Sequence, residues 1–265
     1  MKRILTGIIG FPIVAALLIW GNKYLIDAIF AIVAIISIYE YFGAIEKQYK
    51  PIKWIGYISA ILIAFIHIIP VDIWTKILIM YVPTSIVLIF ENIIATGMKI
   101  TPKDAFATFF GVCYVIGFLV FLPLLYSAPN GKFLIWYIFI SAWGTDTFAY
   151  FTGMKFGKHK LTKISPKKSI EGSIGGTIGA VAIALIYTAI VSKYVNLGMS
   201  YLFVGIATLV LSILSQLGDL SASSIKREME IKDYGNLLPG HGGILDRIDS
   251  IIFVAPFAYF LLIML

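Results

Sequence analysis

Cysteine and charge are both scarce in this chain of 265 residues. The single cysteine, Cys113, excludes an intrachain disulfide, and its place in an apolar run reads as inert packing. Charged residues make up only 13% of the chain. No polar stretch exceeds roughly 25 residues, too short to enclose a soluble core of its own. Familiar catalytic and nucleotide loops are missing as well: there is no G-x-S-x-G elbow, H-E-x-x-H, Walker-type loop or Rossmann glycine pattern. No nucleic-acid module is present, so no nucleic-acid partner is expected. No internal repeat emerges, which counts against repeat-built transporter folds.

Apolar sequence is what the chain has in abundance. Hydrophobic residues reach 60% and mean hydropathy is +0.94, and apolar runs near the length of a bilayer crossing recur from end to end. The expected fold is therefore all-α, a polytopic integral membrane protein of about nine transmembrane helices. The expected spans are 4–20, 24–45, 54–70, 73–95, 105–126, 133–153, 174–194, 199–221 and 248–264. The opening apolar stretch has a signal-like charge pattern but no small-residue cleavage site, so it reads as a retained first helix. Lysines after alternate spans, from Lys47 to Lys53, at Lys99 and Lys103, from Lys155 to Lys168 and again near Lys226, place those loops on one side. The expected orientation is N-in and C-out, with the charged loops cytoplasmic. Residues 1–130 read as scaffold helices and 131–265 as the working half, within one membrane-embedded unit.

Three polar clusters interrupt that second half. Asp146 falls inside the sixth expected span, where an ionised carboxylate needs a cation or a hydrogen-bond cage. After it comes the segment ISPKKSIEG, in which Lys168 and Ser169 at a helix start would offer charge and donors to a phosphate. Gly172, Gly175 and Gly176 suit either close backbone approach to a ligand or plain helix contact. In the second cluster Ser215, Asp219 and Ser223 share one helical face, and the aspartate at its centre favours a bound cation. The third cluster is a Gly- and Pro-rich loop ending near Leu245, where a helix carrying Asp246 and Asp249 on one face is expected. Three carboxylates meeting there would repel, and a hard cation such as Mg²⁺ resolves that. His241, with no cysteine or second histidine beside it, is a poor start for a zinc site. Carboxylates for metal, basic groups for phosphate and glycines for close approach suit phosphoryl or nucleotidyl transfer without a covalent intermediate.

The run from Ser223 to Asp249, SSIKREMEIKDYGNLLPGHGGILDRID, resembles the signature of the phosphatidate cytidylyltransferase (CDP-diacylglycerol synthase) family at every position of that signature. Asp146 and the segment Ser165 to Gly172 resemble the family too, with Ser169 where threonine is common. The resemblance covers about the C-terminal half. It implies conversion of CTP and phosphatidate to CDP-diacylglycerol and pyrophosphate in phospholipid biosynthesis. It further implies Mg²⁺ on Asp219 and Asp246, with Asp249 and Asp146 completing or supporting the shell. Lys226, Arg227, Lys232 and Arg247 are then phosphate holders, and His241 with the amides of Gly242 and Gly243 lines the nucleotide pocket. Asp233 belongs to the same catalytic run, and Ser165, Lys167, Lys168, Ser169, Glu171 and Ser223 are expected at the substrates. A second, monovalent cation fits so acidic a site without being required. The other expected partners are membrane lipids, with room left for a homodimer, and the expected location is a bacterial inner membrane with the site facing the cytoplasm. The rivals are a CTP-dependent lipid kinase, and an ion-coupled transporter in which Asp146 and Asp219 bind cations in transit.

Overall fold

The computed structural model describes residues 2–264 except Pro239 and His241. Helix makes up 76% of the chain, with no β-strand among the described residues. In chain order the helices are α1 (Lys2–Trp20), α2 (Lys23–Ile45), α3 (Lys53–Leu62), α4 (Val71–Ala95) and α5 (Pro102–Gly111). Then follow α6 (Gly117–Leu119), α7 (Phe121–Ser127), α8 (Gly131–Phe139), α9 (Thr145–Phe156), α10 (Ile170–Val191), α11 (Tyr201–Glu228) and α12 (Leu245–Tyr259). Short π segments continue α5 (Val112–Ile116), join α8 to α9 (Ile140–Gly144) and follow α12 (Phe260–Met264).

Each of the expected apolar segments is helical, but they are not equal. Among the described residues six helical stretches are long and apolar enough to cross a membrane: Lys23–Ile45, Asp72–Ala95, Pro102–Ser127, Ile170–Val191, Tyr201–Glu228 and Leu245–Met264. Gly10–Trp20 and Lys53–Phe65 are shorter. The segment expected at 54–70 stops being helical after Phe65, because the chain turns there and His67 Nδ1 meets Asp27 at 2.9 Å. The segment expected at 133–153 is continuous helix from Gly131 to Phe156, but the π segment interrupts its α geometry just before Asp146. Asp146 itself is exposed in the first turn of α9, not enclosed by apolar side chains as expected. Cys113 is also exposed, on the π segment after α5, which corrects its reading as packing.

The chain divides into two compact units, one joining residues 1–123 to 229–247, the other joining 124–228 to 248–265. In the first, Ile52, Ile55, Ile89, Ile93, Ala105 and Val112 form a core of α3, α4 and the α5 segment. A capping box starts α5: Thr101 accepts from Asp104 N, and the Asp104 carboxylate accepts from Thr101 N. Asp104 also accepts Lys50 N at 2.7 Å, tying the loop after α2 to that helix start. In the second unit α9 and α10 run so close that a Cβ on Gly172 or Gly176 would come within 2.8 Å of a carbonyl oxygen on α9. Those glycines serve helix contact.

Candidate active site

Among the described residues the expected catalytic side chains fall in two places, one in each compact unit. In the first unit the gathering point is the loop 229–244 and the first turn of α12. Gly-, Pro- and Asn-rich sequence keeps this stretch out of helix, and α12 begins at Leu245 as expected. Asp246, only 6% exposed, accepts Tyr234 N at 2.7 Å and Gly243 N at 3.0 Å through Oδ2. One carboxylate oxygen thus pins both ends of the loop. Leu238 N donates to Gly242 O at 2.9 Å, and Gly242 has φ +83, a conformation L side chains rarely adopt. A Cβ there would also stand 2.9 Å from Asp246 Oδ2.

A second carboxylate enters this loop from far away in sequence. Glu40 on α2, 5% exposed, accepts Ile244 N at 3.0 Å and Leu245 N at 2.8 Å, one amide per oxygen. It thereby caps α12, whose first amides lack intrahelical partners. Gly235 and Gly243 pack directly on this carboxylate, and a Cβ at either position would collide with its oxygens. Leaving two buried amides unmade would cost about 1–3 kcal/mol each, so Glu40 is a large part of what holds the loop. Sequence reasoning passed over Glu40, although an ionisable residue in an apolar span is itself a signal. Lys232, Asp233 and Arg247 are exposed around the loop. The Gly243 amide is engaged within the loop, on Asp246, and His241 lies outside the described residues.

In the second unit the centre is the pairing of α11 with α10 and α12. Asp219 on α11 forms an ion pair with Lys168 Nζ, the two side chains being 27% and 25% exposed. Asp249 on α12 is 6% exposed, accepts Ser250 N at 2.8 Å, and lies in the electrostatic field of Asp219, Asp146 and Lys226. Gly218 brings α11 against α12, since a Cβ there would be 3.0 Å from Asp249 O and 2.5 Å from Phe253 Cβ. Behind Asp219 runs a seam of side-chain hydrogen bonds that sequence reasoning did not assemble. Ser173 donates to Gln216, Gln216 Nε2 donates to Thr177 at 3.1 Å, Ser212 donates to Thr177 at 3.0 Å, and Thr145 and Ser212 are 2.7 Å apart. Ser215 is fully buried, while Ser223 is half-buried further along α11. Lys226 and Arg227 fall in the last turn of α11, where cations suit the helix dipole.

The residues before α10 have local work. Ser169 is the N-cap and accepts Gly172 N at 3.1 Å. Glu171 accepts His159 Nδ1 at 2.6 Å and the amides of Lys158 and His159, holding the preceding loop to the helix. Lys168 N bonds to Ser165 O at 3.1 Å, and Lys167 is exposed.

The donor set of Asp219, Asp249 and Asp146 is hard oxygen, the kind Mg²⁺ takes. As placed, among the described residues, no group of three or more His, Cys, Asp or Glu stands close enough to hold an ion. What Asp219 holds is the Lys168 ammonium, a cation of the protein's own.

Comparison with known proteins bears on what such a site serves. The sequence profile of the cytidylyltransferase family matches residues 1–265. The phosphatidate cytidylyltransferase of Bacillus subtilis is 44% identical over 157 residues, covering 59% of this chain and 55% of that relative. Those of Staphylococcus epidermidis and Staphylococcus aureus are 35% identical over 267 residues and 36% over 270, each alignment covering 98% of both chains.

Proposed function

The chain belongs to the cytidylyltransferase family, and from that premise we propose that it makes CDP-diacylglycerol from CTP and phosphatidate in a membrane. An oxygen of the lipid phosphate forms a bond to the α-phosphorus of CTP. The bond from that phosphorus to the oxygen bridging the β-phosphate breaks, and pyrophosphate leaves. No group of the protein need be covalently modified; the work is to bring two anions together and hold them in line.

The observation that carries this reading is Asp249. A carboxylate 6% exposed at the contact of α11 and α12, with Asp219 and Asp146 adding like charge and Lys226 opposing it, is a place that favours a further cation. Mg²⁺ on Asp219 and Asp249, with Asp146 in support and Asp246 named by the signature, would supply screening of the phosphates. Lys168 holds Asp219 and is a basic group that can meet a phosphate. Lys226 and Arg227 at the end of α11, and Lys232 and Arg247 around the loop, are the remaining phosphate holders. Gly242, with its left-handed backbone, and His241 belong to the nucleotide pocket in this reading. The helical segments at 10–20, 53–65 and 131–156 join the six longer ones as crossings, giving about nine with the N-terminus and the lysine-rich loops in the cytoplasm. The membrane is then the inner membrane of a bacterium.

The test is radiolabelled CTP with phosphatidate in detergent micelles, with and without Mg²⁺. CDP-diacylglycerol with one pyrophosphate per turnover, dependent on Mg²⁺, is expected. Release of CDP with a newly phosphorylated lipid would make the chain a lipid kinase, and ion uptake by proteoliposomes without CTP would make it a transporter.

A further inference from the structure

We propose that Glu40 is a positioning residue for the reaction: its carboxylate sets the first turn of α12 and so the place of Asp246. The inference rests on the reading of Asp246 as a site residue. Four observations meet on this one side chain. Its two oxygens accept the two amides that open α12, Ile244 N and Leu245 N. Asp246 is the next residue along, and its own Oδ2 is fixed by Tyr234 N and Gly243 N. Two glycines of the loop, Gly235 and Gly243, leave the space that the Glu40 carboxylate fills. The charge is buried at 5% exposure and stands at the N-terminus of a helix, where the dipole favours an anion.

The chemistry explains why an acid is used. A neutral cap would satisfy one amide; a carboxylate with both oxygens engaged fixes two neighbouring amides and hence the rotation of the helix about its axis. The residue rotated is Asp246. Displacing a reacting geometry by about 1 Å costs about 100-fold in rate, so a cap remote from the substrates can matter as much as a direct contact.

Glu40→Ala and Glu40→Gln, each with and without Gly243→Ala, test this in the full-length protein. Amide hydrogen exchange over 235–248 is expected to quicken about tenfold in Glu40→Ala, less in Glu40→Gln, with α10 and α11 unchanged. Turnover of CTP in Glu40→Ala should fall roughly 100-fold, with a higher half-saturating Mg²⁺ concentration and an unchanged KM for phosphatidate. Glu40→Gln should recover part of that loss. Gly243→Ala should cost less in the Glu40→Ala background than alone, because the added methyl then meets no carboxylate. Unchanged exchange over 235–248 in Glu40→Ala would overturn the proposal. So would faster exchange in every helix together with wild-type turnover and Mg²⁺ response in the folded fraction, which would make Glu40 a stability residue alone. A wild type that makes no CDP-lipid would sink the reading of the reaction, while the exchange data would still decide what Glu40 holds.

Discussion

Two acidic centres, one in each compact unit, are held by different means. In the first, Glu40 and Asp246 are answered by backbone amides, two apiece, and by glycines that leave them room. In the second, Asp219 is answered by a lysine side chain about as exposed as itself, behind which side chains bond to side chains. Backbone amides cannot swing away, so the first arrangement is a fixed one. An ammonium on a four-carbon stem can: a metal ion can take its place at the carboxylate, and the freed ammonium can meet a phosphate. In the proposed reaction, which binds and releases two anions each turnover, a fixed centre would hold geometry and an exchangeable one would trade partners.

The largest effect should come from deleting an acid outright. Asp219→Ala and Asp246→Ala are each expected to lower turnover roughly 1000-fold while leaving the protein folded in detergent, since the family resemblance makes each a proposed metal ligand. Near-normal Mg²⁺-dependent activity in either variant would reject that assignment. Their stabilities should differ in the direction of the comparison. Asp246→Ala strands two amides and should lower the melting temperature; Asp219→Ala removes a part-exposed ion pair and should move it little.

Lys168→Met sharpens the contrast at the exchangeable end. If Lys168 both neutralises Asp219 and meets a phosphate, kcat/KM for CTP should drop about tenfold, less than for the loss of the acid. Added salt should then weaken CTP binding to the wild type more than to the variant, because one of the screened charges has gone. An unchanged CTP response would confine Lys168 to the ion pair.

Gln216→Leu reaches the seam without touching a charge. The substitution leaves Ser173 and Thr177 short of a partner in a half-buried setting, worth about 1–2 kcal/mol. The melting temperature should fall by a few degrees, with turnover within about threefold of wild type. A loss of turnover as large as that of Asp219→Ala would place the seam in the reaction itself.

Much of this was legible in the sequence, for stated reasons. The segments that form helices announce themselves by apolar length, and α12 starts at Leu245 because Pro239, Gly240, Gly242 and Gly243 cannot carry helix up to it. Asp219 stands out at the centre of a polar helical face, and Asp249 as the acid that shares a face with Asp246. Glu40 was passed over: it is the one acid in the run ISIYEYFGAI, but its partners lie 204 and 205 residues away and no local pattern links them. Asp146 is exposed just past a π segment, and hydropathy registers neither feature. The tasks of Ser169 and Glu171 were visible only in part: a serine followed by a glutamate at a helix start reads as a cap, but that Glu171 reaches back to His159 depends on how the preceding loop folds.

The smallest effect is expected at Lys160, and it bears on how far a basic loop can be taken as a phosphate site. Its backbone pairs with Ser169, and the neighbouring Leu161 N donates to Lys168 O at 2.9 Å, so the loop is held by main chain. The Lys160 side chain is exposed and contributes charge to a loop that has several lysines to spare. Lys160→Ala keeps every one of those backbone bonds. Its turnover and KM for CTP should match wild type within about twofold, the range usual for a surface change remote from special contacts. Lys160 and Lys168 share one loop and one charge, so a large loss at Lys160 would mean that the loop acts through its summed field, and that the ion pair with Asp219 is not what sets Lys168 apart.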